Sequence, residues 1–192
     1  MELIYIVGGV LFVLLLFIAA TYNGLVRMRN QVRESWSGID TELQRRYDLI
    51  PNLVKTVKAY AKHERELLEE VTRLRNVCAQ NRGTPEQQAR SENELVGVLG
   101  RLFAVSENYP DLKADQNFRE LQDELVNTED RIQAARRFFN GNVRELNTKV
   151  ESFPSNLIAN SFGFQKEEYF EISDFAVRQA PKVDLSPEGA AE

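Results

Sequence analysis

The chain has 192 residues, one cysteine, one histidine and a net charge of −5. One cysteine excludes an intrachain disulfide, and one histidine excludes cysteine–histidine zinc sites and the paired E-x-x-H motifs of a di-iron bundle. The acidic balance argues against a nucleic-acid partner. Glu, Lys, Arg, Leu and Gln dominate, glycine and proline are sparse, and no segment alternates at period two, so the fold class is all-α.

The chain opens on LIYIVGGVLFVLLLFIAA, Leu3 to Ala20, without charge or proline. As a helix it spans roughly 27 Å, close to the roughly 30 Å hydrocarbon core of a bilayer. A cleaved signal peptide would want a positive start, and Glu2 offsets the terminal amine; Ala19 and Ala20 keep cleavage open. A buried core helix rarely needs so long an apolar run. The preferred reading is a single transmembrane anchor over residues 1–21, with Leu3, Ile4, Val7, Leu11, Leu14, Phe17 and Ala20 meeting lipid. Arg27, Arg29 and Arg33 follow it, which favours the amino terminus outside and the larger domain in the cytoplasm.

Four amphipathic helices are expected over residues 22–48, 51–80, 85–108 and 115–152. Val32, Trp36, Ile39, Leu43 and Tyr47 mark the first. Pro51 disfavours helix at Ile50, so Asp48–Ile50 reads as a tight connection with Pro51 opening the second helix. Leu53, Val57, Tyr60, Leu67, Val71, Leu74 and Cys78 carry the second stripe, with Cys78 as a small core residue. Thr84-Pro85 with Gln87 spells a capping box for the third, and Asp115 can cap the fourth. Asn140 and Asn147, seven apart, flank the fourth stripe and are expected to bond across the bundle rather than bind a ligand.

Short connections between four such helices predict a long antiparallel, up-down-up-down four-helix bundle behind the anchor. The fourth helix would then end beside the bilayer. That places the aromatic-rich residues 153–175 there, with Leu157, Ile158, Phe162, Phe164, Tyr169 and Phe170 as candidate contacts to lipid or a neighbouring subunit; folding back onto the bundle is the alternative. Residues 176–192 read as a disordered tail.

No constellation for chemistry emerges. His63 and Cys78 lie fifteen residues apart on one expected helix, about 22 Å along it, too far to act as base and nucleophile. No catalytic residue, cofactor or metal site is expected. Asp40, Arg45, Arg46, Asp48 and Asn52 form a polar group near the end of the first helix, readable as a self-paired helix end or as a rim for assembly or docking.

YNGLV at Tyr22–Val26, RNQVRESWSGIDTELQRRYDLIPNLVKTVKAYAKHE at Arg29–Glu64, ENYPDLKADQNFRELQDEL at Glu107–Leu125 and FPSNLIANSFGFQKEEYFE at Phe153–Glu171 resemble the LemA family. Phe139 departs from the tyrosine the family more often carries before the asparagine. The resemblance implies a bacterial inner-membrane protein with one amino-terminal anchor, a helical bundle and no established enzymatic activity. It also implies links to intracellular membrane organelles or to a membrane metalloprotease as neighbour. The expected function is a non-enzymatic scaffold that self-associates as a homo-oligomer on the lipid bilayer. The alternative is an accessory subunit of a membrane protease or other envelope complex.

Overall fold

The computed structural model describes residues 1–172, and all regular structure among them is helical. The tail expected over 176–192, with the last three residues of the aromatic segment, lies outside the described residues. The helices are α1 (Glu2–Tyr60), α2 (Arg65–Gln80), α3 (Pro85–Ser106), α4 (Pro110–Ala114), α5 (Gln116–Glu151) and α6 (Ser155–Ser161).

Two expectations about the first helices need correction. No connection exists at Asp48–Ile50: α1 runs unbroken for 59 residues, with Pro51 inside it. A proline removes the hydrogen bond to the carbonyl four residues back, here that of Tyr47. Arg75 of α2 replaces the lost donor, its Nε bonding to the Tyr47 carbonyl at 2.9 Å. A neighbouring helix thus repairs the proline's defect, and the helix continues. The expected 51–80 helix breaks instead at Ala61–Glu64, a turn containing neither glycine nor proline. Ala61 is fully buried in the bend, while Lys62 and His63 face solvent. Tyr109 donates to Glu64 across the junction at 3.0 Å.

Thr84 and Gln87 form a reciprocal capping box at the start of α3, and a Cβ on Gly83 would displace the Gln87 carboxamide that closes it. The Asp115 carboxylate accepts from Phe118 N at 2.9 Å and caps α5.

The packing follows from cross-helix bonds. Tyr60 donates to Asp115 at 2.9 Å, joining the end of α1 to the start of α5, while Tyr22 stacks on Phe162 just past α6. Therefore α1 and α5 run antiparallel along most of their length, about 58 Å for α1 beyond residue 21 and about 54 Å for α5. Arg101 reaches Glu70 at 2.7 Å and Cys78 Sγ donates to the Ser91 carbonyl at 3.2 Å, which makes α2 and α3 an antiparallel hairpin. At about 24 Å, α2 covers only the half of α1 far from the apolar end. The near half is covered by the end of α5, by α6 and by the chain after it. The core is continuous from Leu25 to Ile172.

Ile18 already packs on the core and Thr21 is buried; before Phe17, α1 stands clear of the rest of the molecule. It is the one helix among the described residues long and apolar enough to cross a membrane, and none of its most apolar window is buried. Leu3, Ile4, Val7, Leu11, Leu14 and Phe17 are 41–74% exposed.

Candidate functional site

The stripe on α1 runs Ile39, Leu43, Arg46, Ile50, Leu53, Val57, in steps of four and three. One member is an arginine. The corresponding rows on the partner helices also carry a charge: Glu92 before Leu95 and Leu99 on α3, and Glu129 between Leu125 and Ile132 on α5. The three meet in the core. Arg46 Nη1 donates to Glu129 Oε2 at 2.8 Å and Arg46 Nη2 to Glu92 Oε2. Tyr47 Oη donates to the other Glu92 oxygen, which Gln88 Nε2 also approaches at 2.6 Å. Arg46 is 1% exposed, Glu92 0% and Glu129 5%.

Electrostatically the knot is unbalanced, one cation against two carboxylates. Burial alone would lower the Arg46 pKa, but Glu92 and Glu129 outweigh it and raise it, so the guanidinium stays charged. Burial raises the Glu129 carboxyl above its ordinary value, more than Arg46 lowers it. Burial, then Glu92, raises the Tyr47 phenol, which therefore remains a donor. The Cys78 thiol is pushed up to about 12, chiefly by burial, and is unreactive. Glu129 Oε1 and Arg46 Nε are buried without a hydrogen-bond partner. Sealed in the core, the knot fixes which faces of α1, α3 and α5 meet. Among the described residues no group of three or more His, Cys, Asp or Glu is gathered as metal ligands would be.

The expected polar rim therefore does not stand as one surface. Arg46 is inside the core, because it occupies a stripe position, and it lies fourteen residues before the end of α1 rather than at a helix end. Asp40 and Asn52 are exposed, Asp48 accepts from Gln44 at 2.8 Å, and Arg45 approaches Glu42 and Glu124 at 3.9 and 3.7 Å. These four are on the surface of α1.

The aromatic set divides too. Ile158, Phe164 and Phe170 are buried in the chain's own core, which leaves them little surface for lipid or a neighbour. Phe164 lies under Arg29, 5.0 Å from guanidinium to ring centre, and beside Tyr22. Phe170 packs edge-on against Trp36 at 5.3 Å, and Trp36 packs on Phe139 at the same distance. Leu157, Phe162 and Tyr169 remain 39–58% exposed, and Phe153, outside the expected set, is 80% exposed.

After α6 the chain turns at Gly163, φ +71°, and runs back over the molecule. Asn147 and Asn140 hold this strap. The Asn147 carboxamide donates to the Glu167 carbonyl at 2.9 Å and accepts from its N–H at 2.8 Å. Asn140 does the same with Phe170, both at 3.0 Å. Arg136 donates to the Ile172 carbonyl, and Asn93 of α3 to the Glu171 carbonyl at 3.3 Å. The strap thus lies between α5 and α3. Seven helical residues rise about 10.5 Å and three extended residues about 10 Å, which is why asparagines seven apart clasp residues three apart.

The sequence model of the LemA family matches residues 35–185, a span that includes the knot and the strap with its clamps. The chain belongs to the LemA family. Among relatives of this LemA-family chain, protein LemA of Metamycoplasma hominis is 24% identical, over 85% of this chain and 72% of its own length. Magnetosome protein MamQ of Magnetospirillum gryphiswaldense is 26% identical over 78% of this chain, and MamQ 1 of Paramagnetospirillum magneticum is 27% identical over the same share. The LemA-family chain spans 64% of the length of these magnetosome relatives.

Proposed function

We propose that this protein is a non-enzymatic scaffold anchored in the bacterial inner membrane, which self-associates and organises or remodels the bilayer. One observation carries the reading: α1 takes a bare apolar end directly into the domain core without a break. A rigid rod in place of a flexible linker couples the orientation of the domain to that of the membrane segment. Phe153, Leu157 and Phe162 support the lipid contact: they are exposed, and Phe153 lines one groove with Phe17 of the apolar helix. The arginines after Ala20 favour the amino terminus outside and the helical domain in the cytoplasm. The distal half of this domain is the four-helix bundle of the scaffold, built from α1, α2, α3 and α5. The magnetosome name of two relatives is in keeping with a role at an organised membrane.

The test reconstitutes the full-length protein into liposomes and images them, with light scattering of the same protein in detergent. Multi-copy particles and patterned or deformed vesicles are expected. A strictly monomeric particle on undisturbed vesicles overturns the reading.

A second reading, an adaptor for a membrane protease or another envelope complex, draws on the far end of the rod. There a groove between α1 and α2 has Val54, Ala61 and Leu68 on its floor and Lys58, Lys62 and Arg73 around it. Crosslinking in cells separates the two: a homotypic ladder supports the scaffold, one dominant foreign partner the adaptor.

A further inference from the structure

A groove runs along the apolar end of the molecule, between α1 and α5. On α1, Phe17 and Met28 are eleven residues apart, three helical turns, so they share a face and stand about 16.5 Å apart along the axis. On α5, Arg144 and Thr148 share a row one turn apart, with Glu145 and Lys149 in the row beside them. These faces, with Phe153 and Pro154 at the end of α5, line a groove of about 460 Å³. That is within the range of small-molecule sites, about 300–1,000 Å³.

The character of the walls changes along the groove. Phe17 still belongs to the apolar run that ends at Ala20, so the Phe17–Phe153 end lies at the edge of the hydrocarbon, and Phe153 is 80% exposed there. Counted back along α5, Lys149 stands about 6 Å and Arg144 about 13.5 Å further from the bilayer than Phe153. The polar layer adds about 5–7.5 Å to each side of the hydrocarbon core. Lys149 is therefore at headgroup depth, with Arg144 on its aqueous side. The groove turns from aromatic to cationic where a lipid turns from acyl chain to phosphate.

The cations there are free to take an anion. Among the described residues neither Arg144 nor Lys149 has a side-chain hydrogen bond or ion pair, although Lys149 is half-buried. Glu145 lines the groove as well, so two cations and one carboxylate leave a net of one positive charge. That balance matches one phosphodiester with an uncharged remainder, and Glu145 disfavours a second negative group. Hydroxyls at Thr148 and Ser152 are further donors along the same wall.

We propose that this groove binds one phospholipid carrying a single net negative charge, with Lys149 and Arg144 on its phosphate and its acyl chains leaving past Phe153 and Phe17. This rests on the membrane anchoring and lipid contact proposed above, and names the lipid. A lipid so held fixes the depth of the domain as well as its tilt.

The test reconstitutes the full-length protein into liposomes of phosphatidylcholine and phosphatidylethanolamine with a minor share of phosphatidylglycerol, all of one chain length. After extraction into detergent, native mass spectrometry counts the lipid that stays bound. One phosphatidylglycerol per chain is expected, well above its bulk share. Arg144→Ala with Lys149→Ala should lower it at least several-fold at unchanged circular dichroism. Arg27→Ala with Arg33→Ala removes two exposed cations of α1 outside the groove and should leave it in place. Lipids retained in bulk proportion, or equal loss in both double variants, overturn the site. Glycerol phosphate bound as well as the lipid makes the groove a free-phosphate site and overturns the lipid assignment. Multi-copy particles without the selected lipid overturn the site and leave the scaffold standing. Selected lipid on a strictly monomeric particle upholds the site and overturns self-association alone. Protein that does not float with the liposomes overturns both.

Discussion

Two buried polar systems hold this molecule together, and they work on opposite terms. Around Arg46 the groups are charged, sealed from water and unequal in number, and two of their atoms find no partner. Around Asn140 and Asn147 the groups are neutral, and both carboxamides saturate their acceptor and a donor on one strap residue each. The first arrangement carries a large desolvation cost and cannot lose its one cation; its return is a fixed meeting of three helices. The second is cheap in desolvation and grips the strap through its backbone, while Phe164, Phe170 and Ile172 of the strap are buried in the core. A single domain can thus have a permanent core and a separately fastened strap.

The comparison breaks first at Arg46. Arg46→Met leaves Glu92 and Glu129 buried with no cation, and the expected loss is about 3–5 kcal/mol of global stability. Denaturant unfolding of the full-length protein in detergent, followed by circular dichroism, reads it. The triple variant with Glu92→Gln and Glu129→Gln should recover much of the loss, because no uncompensated charge remains. An unchanged midpoint in the single variant would mean that the knot is not closed in solution.

The strap should respond differently. Asn147→Ala leaves one strap N–H and one carbonyl without partners, an expected cost of about 1–3 kcal/mol. That cost is local. Amide exchange should accelerate across Glu167–Ile172 while the protection of α1 and α5 stays unchanged. Exchange that rises uniformly through the domain would show that strap and core unfold as one unit. Arg75→Ala tests the repair at Pro51 and is smaller still, about 1–2 kcal/mol for one half-buried carbonyl left to water or nothing. Its expected signature is faster amide exchange just after Pro51.

What the sequence could tell followed the same division. Local chemistry was readable: the Thr84–Gln87 capping box and the Asp115 cap are complete within four residues, and the structure has both. The features that depend on a distant partner were not. Pro51 looks like a boundary until Arg75, twenty-eight residues from Tyr47, supplies the missing donor. The turn at Ala61–Glu64 carries no glycine or proline, and the apolar spacing from Ala61 to Leu68 passes through it undisturbed. Arg46 was legible in principle. It sits in the four-three stripe between Leu43 and Ile50, and Glu92 and Glu129 sit likewise in theirs, but Arg45 and Asp48 on either side make the stretch read as a solvated face. For Asn140 and Asn147 the spacing of seven was visible, while the partner was not, since nothing local distinguishes a strap backbone from a facing helix.

Glu129 gives the smallest effect and the sharpest sign. Its carboxyl binds a proton more tightly in the folded protein than its ordinary value of 4.5, because burial outweighs Arg46. A carboxyl raised in this way contributes stability that is fully present below its unfolded value and is lost as pH rises through the folded one. Above that window the folded core holds two anions against one cation. Glu129→Gln removes the surplus anion and keeps the shape, so at pH 7.5 the variant should match or exceed the wild type by up to about 1 kcal/mol. Towards pH 5 Glu129 in the wild type is nearer its protonated form, which should shrink that advantage. Thermal unfolding of both proteins at the two pH values reads the difference. A variant that is less stable at pH 7.5 and recovers at pH 5 would show instead that Arg46 holds Glu129 as a net favourable anion, and the contrast between a costly knot and a cheap strap would then lose its footing.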